Sequence, residues 1–396
     1  MIKRIEHILK HNQLIQKIYV VVFSFVFKVL SVFIKRNPKQ IIFQSLIGKS
    51  FGDSPKILFD AIKADERFND YKFIWAFDDP DKFKVEGAQK ISLRSLKFYI
   101  EALRSGVWIT NVSIERGLKF KPKGTVYLNT WHGVPIKLIG NSQKTRNDYD
   151  YSDIDFMCCS SEFERGIFIR DFNIRPDTIV KCGMPRNDEL YSTTDEEVAR
   201  LREKYNIPEG KKVVLYTPTW RDSTDGGKTF QVAPPIDVNY WEKKLGSEYV
   251  MLFRMHHLTT EFMGIDFNDF ARDVSHVPEI NELMKIADVL LSDYSATIFD
   301  YSILEKPILA FAYDLEEYKE ARGFYNDLEY VLPGDVLYTA DEVIDRLLNM
   351  NVDEEIERAR SIKSRYIESD GNATEACLNF LLGQTVEKKE RQVATV

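Results

Sequence analysis

The feature that most constrains this chain is an alternation that runs, stops and starts again. From residue 41 onward, short β-rich runs alternate with amphipathic stretches, the pattern of a mainly parallel sheet with helices on both faces. The first set comprises "IIFQS" (41–45), "YKFIWAF" (71–77), "VWITN" (107–111), "TVYLNTW" (125–131), "FMCCSS" (156–161) and "IVKCGMP" (179–185). A charged, helix-rich connector, "TDEEVARLREKYNIPEGKK", interrupts it. The pattern then resumes with "VVLYTPTW" (213–220), "YVMLFRMH" (249–256), "VLLSDYS" (289–295) and "PILAFAY" (307–313). Single cores rarely grow beyond about 250–300 residues. A chain of 396 residues with this doubled pattern therefore predicts two Rossmann-like, doubly wound α/β lobes, residues 40–208 and 209–382, after a helical segment at 1–39 and before a polar tail at 383–396.

In open α/β sheets ligands bind outside the carboxyl ends of the strands, so the residues that close each run carry the functional reading. His132 follows "TVYLNTW"; Gly133 lets the backbone turn tightly and Pro135 stops the strand. An imidazole fixed there, with an ordinary pKa of about 6.5, suits a general base. In the second set, Arg221 follows "VVLYTPTW" and His256 follows "YVMLFRM". The turn "SDYSAT" (292–297) leads into a helical stripe of Ala296, Phe299, Ile303 and Leu304. A helix start there, with the Ser295 and Thr297 hydroxyls, favours a phosphate, although Ser and Asp also cap helices that bind nothing. Guanidinium, imidazole and helix start together supply the converging donors that a pyrophosphate requires.

Other classes are excluded or left unsupported. A formal charge of -7 argues against a general nucleic-acid binder. Cys158, Cys159, Cys182 and Cys377 show no metal or disulfide spacing and read as buried thiols in a reducing compartment. "DGGKTF" (225–230) resembles the end of a P-loop, but its first glycine would fall at Asp222. The acidic pairs at 79–81 and 153–155 do not make a convincing metal site, the second lying at a strand's start, so neither metal nor cofactor is called for. The stretch 221–240 reads as a long loop, either a lid or plain solvent loop.

Residues 18–34, "IYVVVFSFVFKVLSVFI", reach the lower limit of a membrane span, but Lys28 stands in the middle. Lys17, Ser24, Lys28, Ser31 and Lys35 share one stripe. The expectation is an amphipathic helix in the bilayer interface, with Lys35, Arg36 and Lys39 on anionic head groups; a buried core helix is the alternative. No small-residue cleavage site follows.

"WHGVPIK", "GMPRND", "YTPTWRD", "RMH", "SDYSATIFDYSILEKPI" and "YDLEEYKEARGFYNDLEYVLPG" together resemble the CDP-glycerol glycerophosphotransferase family, the teichoic acid primases and polymerases, from about Phe43 to Asn379. The resemblance implies a GT-B-like pair of lobes, a CDP-glycerol or CDP-ribitol donor, an undecaprenyl-diphosphate-linked saccharide acceptor and monotopic attachment to the cytoplasmic membrane face. It leaves a homo-oligomer open. Carried over by position, His132 and His256 are the catalytic pair. Arg221, Asp222, Ser292, Asp293, Ser295, Thr297, Asp300, Arg322 and Gly323 fall to the donor, and Trp131, Gly133, Arg186 and Asn187 to the acceptor side. Two departures stand out: Ala296 in "SDYSA", where a second serine is frequent, and "HGVP" for the more usual "HGTP". The implied reaction is attack of an acceptor hydroxyl on the phosphorus nearest the alditol, with His132 taking the proton and CMP leaving. A GT-B glycosyltransferase using a nucleotide sugar and a non-catalytic membrane-bound scaffold are the competing readings.

Overall fold

The computed structural model describes residues 13–143, 148–219, 221, 231–255, 261–262 and 264–393. Seven strands form the first sheet: β1 Asn37–Gln44, β2 Lys72–Phe77, β3 Gln89–Ser92, β4 Ser105–Thr110, β5 Val126–Asn129, β6 Phe156–Cys158 and β7 Ile179–Val180. They run parallel in the order β3-β2-β1-β4-β5-β6-β7. Ile41, Ile42 and Phe43 are fully buried, as expected of a strand covered on both faces. The second sheet uses β8 Lys212–Thr217, β10 Tyr249–Phe253, β12 Ala271–Asp273, β13 Val289–Ser292, β14 Ile308–Phe311 and β15 Val336–Leu337 in the parallel order β12-β10-β8-β13-β14-β15. A small separate pair joins β9 Gln231–Val232 to β11 Glu261–Phe262.

Strand order reverses between β1 and β4 in one lobe and between β8 and β13 in the other. Such switch points open a crevice at the carboxyl ends of the strands, and here the two crevices face each other. The lobes are also joined. Val134, Ile136, Met184 and Leu190 share one core with Leu215, Leu290 and Ile298 of the second lobe. The Leu138 amide donates to the Gly323 carbonyl at 3.1 Å and the Tyr325 amide to the Ile136 carbonyl at 2.9 Å.

The helix Ala373–Val393 follows the second sheet in sequence but packs on the first. The Phe380 ring lies 4.7 Å from that of Phe156, and Cys377 Sγ lies 3.5 Å from Cys158 Sγ. Asp188 accepts the first two amides of this helix, from Ala373 at 3.0 Å and Thr374 at 2.8 Å. Its second half, residues 383–393, occupies what the sequence suggests is a polar tail. All four cysteines are free and buried.

The helix Gln13–Phe33 touches the first lobe along one edge only. Phe27 stacks on Tyr99 at 4.3 Å, and Ser24 Oγ accepts the Lys119 amide at 2.9 Å. The polar stripe is therefore divided: Ser24 faces protein, while Lys17, Lys28 and Lys35 are exposed. Of the other two cations expected on head groups, Arg36 donates to the Gly124 carbonyl and Lys39 pairs with Asp70. The rest of the helix is neither core nor polar, with Val21, Phe25, Val32 and Phe33 exposed at 68%, 67%, 80% and 79%. So large a bare apolar face marks an interaction surface.

Candidate active site

β5 ends at Asn129, and the next residues make a fixed hook. Trp131 has φ 55° and Gly133 φ 140°, the left-handed region that a β-carbon disfavours. The hook is held by the Trp131 amide on Asn129 Oδ1 and by the indole N–H on the Gly133 carbonyl, each at 2.9 Å. A side chain at 133 would place its Cβ 2.7 Å from that of Ala296. The missing hydroxyl at 296 is thus also the place where the second lobe meets the hook.

Between Trp131 and Gly133, His132 packs its ring 4.4 Å from the indole. Its Nδ1 lies 2.7 Å from the Asn111 carbonyl, which can only accept, so Nδ1 carries the proton and Nε2 is left basic. Burial lowers the imidazole's pKa below 6.5, opposed by the Asn111 carbonyl and Asp53 and assisted by Arg186. The histidine is thereby held neutral with one fixed tautomer, as a general base requires.

His132 lines an interlobe cavity of about 690 Å³ together with Asp53, Arg186, Arg254, Ser295 and Thr297. Leu46 and Val112 border it at the first switch point and Pro218 and Thr219 at the second. Arg186 spans the lobes, donating to Asp53 Oδ2 and to Asp300 Oδ2 at 2.6 Å each, while Asn187 donates to Asp300 Oδ1 at 2.7 Å. Burial opposes the charge of Asp53, but Arg186 and the Ser54 amide outweigh it and hold the carboxyl low. For Asp300 burial prevails over Arg186, and its pKa is raised. Arg186 and Asn187, expected on the acceptor side, and Asp300, expected on the donor, therefore meet as one clamp between lobes.

Arg221 does not reach the cavity as an available phosphate donor. Its Nε and Nη2 grip Asp314 at 2.6 and 2.9 Å, and Nη1 reaches Asp293 at 3.0 Å and the Thr219 carbonyl. The guanidinium sits over Tyr294, Tyr313 and Tyr318 at 5.1, 5.4 and 5.0 Å. Asp293 is fully buried and accepts the Thr219 amide at 2.9 Å; Ser292 is likewise buried and donates to the Thr217 carbonyl at 2.8 Å. These residues hold the turn together through one another. The helix that follows is only Thr297–Ser302, and its Thr297 and Ile298 amides already bond Ser295 Oγ and Ser295 O at 3.3 Å each. What Ser295 and Thr297 present is a pair of hydroxyls 2.9 Å apart.

Gly323, at φ 66°, meets the first lobe: a β-carbon there would lie 2.6 Å from Leu138 Cδ1. Arg322 closes the helix Leu315–Arg322 beside it and is not among the residues that line the cavity. Asp222, His256 and residues 222–230 of the 221–240 stretch lie outside the described residues; the rest of that stretch, expected to be a loop, holds β9 Gln231–Val232 and the start of the helix Val238–Leu245.

Two lining residues escaped the assignment from sequence. Asp53 opens the helix Asp53–Ala64 with φ 60°, a strained conformation for a non-glycine residue and one that clusters at functional sites. "FGDSP" signals a helix start and nothing more. Arg254 lies just beyond β10, within the run "YVMLFRMH". Its Nη2 donates to the Val277 and Pro278 carbonyls at 3.3 Å each, while the buried Nε has no partner among the described residues.

Comparison with known proteins gives this geometry a family. Residues 26–383 match the model described as CDP-glycerol:poly(glycerophosphate) glycerophosphotransferase. The chain is 32% identical over 359 residues to a teichoic acid poly(glycerol phosphate) polymerase of Bacillus spizizenii, covering 86% of this chain and 89% of that protein. It is 32% identical over 342 residues to a teichoic acid glycerol-phosphate transferase of Staphylococcus aureus, covering 81% and 86%. Among solved structures, the wall teichoic acid polymerase TagF superposes with a TM-score of 0.79 at 29% identity, covering 96% of this chain and 98% of that one. A variant of it soaked with CDPG gives 0.78 at 28% identity, with the same coverage.

Proposed function

Because the chain belongs to the CDP-glycerol:poly(glycerophosphate) glycerophosphotransferase family, we propose that its interlobe cavity carries out the family's transfer with His132 as the base. Glycerol phosphate or ribitol phosphate moves from a CDP-alditol to a hydroxyl of a lipid-linked saccharide or a growing poly(alditol phosphate), and CMP leaves. The acceptor oxygen attacks the phosphorus that bears the alditol, its proton passes to His132 Nε2, and the bond from that phosphorus to the oxygen shared with CMP breaks. The observation that carries the reading is the Asn111 carbonyl 2.7 Å from Nδ1, which leaves Nε2 basic in a residue lining a cavity between two switch points.

Phosphoryl transfer asks the protein chiefly for position and charge. Arg254, which lines the cavity, takes the pyrophosphate role; Arg221 keeps it only if it leaves Asp293 and Asp314. Ser295 and Thr297 add hydroxyl donors from the second lobe. Arg186 and Asn187 hold Asp300, and through it the second-lobe helix, at a fixed distance from His132. His256, two residues after Arg254 in the sequence, is kept as the second histidine. The exposed apolar face of the helix Gln13–Phe33 lies against the cytoplasmic face of the membrane, where a lipid-linked acceptor presents its head group.

The test is CMP release from CDP-glycerol, and separately CDP-ribitol, with a lipid-linked saccharide acceptor. H132A is expected to lower kcat by about 10²–10⁴ with the donor Kd within about threefold of the parent. Unchanged turnover in H132A overturns the assignment of the base, and release of UDP from a nucleotide sugar overturns the reaction class.

A further inference from the structure

One end of the cavity is used by none of this chemistry. On the first-lobe side, Tyr149, Tyr151 and Phe172 line it beside Trp131. Tyr151 stacks on Phe172 at 5.2 Å, and Tyr149 and Trp131 meet Phe172 edge-on at 5.6 and 5.1 Å. The wall is pinned from behind. The Asn141 side chain donates to the Tyr149 carbonyl at 2.9 Å and accepts its amide at 2.8 Å, and the Tyr151 amide donates to the Phe172 carbonyl at 2.7 Å. Both tyrosines stay half-buried, packed on one side and open to the cavity on the other.

Among the described residues, the charges behind this wall pair with one another. Lys119 pairs with Asp150 and Asp153 at 3.2 and 3.3 Å, and Arg170 pairs with Asp171 at 2.7 Å. None of these five side chains lines the cavity, so none is placed to hold a phosphate at this end. A neutral ring with apolar C–H faces meets aromatic rings that it can pack against. The same loop is wired to the exposed helix: Lys119 Nζ donates to the Asp150 carbonyl at 2.7 Å, and the Lys119 amide to Ser24 Oγ at 2.9 Å. The wall therefore stands above the surface assigned to the lipid.

We infer that Tyr149 and Tyr151, backed by Phe172, form the subsite for a saccharide ring at the acceptor's end, and so favour an acceptor that ends in sugar over one that ends in alditol phosphate. The inference rests on the transfer reaction proposed above. The assay uses the full chain with CDP-glycerol and two acceptors, a disaccharide on a short prenyl diphosphate and the same molecule already extended by glycerol phosphate. Y149A and Y151A are expected to raise KM for the sugar-ended acceptor about tenfold, with KM for CDP-glycerol moving less than about twofold. Y151F, which keeps the ring, is expected to restore most of the loss, and calorimetric binding of CDP-glycerol reports that each variant is folded. Unchanged acceptor KM in both alanine variants, or an equal rise for the glycerol phosphate-ended acceptor, overturns the subsite. Failure of the parent chain to release CMP with either acceptor overturns the reaction itself, a result distinct from both.

Discussion

Replacing Arg221 by methionine separates the role that its motif suggests from the role that its contacts show. Met keeps the length and apolar stem but removes every N–H that holds Asp293 and Asp314. Asp293 is fully buried, and the Arg221 side chain is 19% exposed, so solvent screening of the pair is small. Removing one partner of a buried pair costs about 3–5 kcal/mol because the other charge is stranded. For a unit of about 150–250 residues, each kcal/mol moves Tm by about 2–4 °C, so R221M is expected to lose about 6–20 °C. R221M/D293N is expected to recover part of that, since a buried amide costs less than a buried carboxylate. Thermal unfolding by circular dichroism gives the shift, and calorimetry with CDP-glycerol gives donor affinity. If R221M melts within about 2 °C of the parent while its donor Kd worsens tenfold or more, the guanidinium serves the ligand and the reasoning from its contacts is wrong.

Three further outcomes are expected. His132 has a depressed pKa and stays basic below pH 6.5, so the acid limb of kcat/KM falls below that pH; D53N removes a carboxylate that raises it and moves the limb lower still, and a limb that moves up refutes the pairing. Glu164 is pushed up to about 7 by burial, and its Oε1 lacks a partner among the described residues. With a raised folded pKa, its contribution to stability is present below about 4.5 and lost as pH rises through about 7, so E164Q is expected to raise Tm at pH 8 and flatten the slope between pH 5 and 8. V21E/F25E/V32E places charge on the bare face of the Gln13–Phe33 helix and is expected to cut co-sedimentation with anionic vesicles at least tenfold, each lost apolar side chain being worth about 1.5–3 kcal/mol; unchanged binding assigns the attachment elsewhere.

Both sheets were legible because their central strands are long apolar runs with nothing else to become. In the two main sheets the strands not anticipated, β3 "QKIS", β12 "ARD" and β15 "VL", are short and lie at sheet edges, where half a ladder suffices and the hydrophobic signal fades. Several runs were read too long at the carboxyl end. "TVYLNTW" leaves the sheet at Asn129 because Trp131 and Gly133 turn it. His132 was visible because that turn is written locally, in glycine and proline. The contacts of Arg221 were not legible for the opposite reason: its partners Asp293 and Asp314 lie 72 and 93 positions away, and a motif does not say whether a guanidinium faces a ligand or a carboxylate of its own chain. Asp53 is silent in the sequence because its importance comes from Arg186, 133 residues on.

The return of the helix Ala373–Val393 to the first sheet sets an order on biosynthesis. On the ribosome, the amino-terminal lobe is complete in sequence long before Ala373, Cys377 and Leu381 arrive to cover Phe156 and Cys158. Until then one side of that lobe stays uncovered, so it cannot mature as an independent unit in the way that early domains of nascent chains usually do. Truncation anywhere upstream of residue 373 therefore removes the cover of the first lobe, however much of the second it spares.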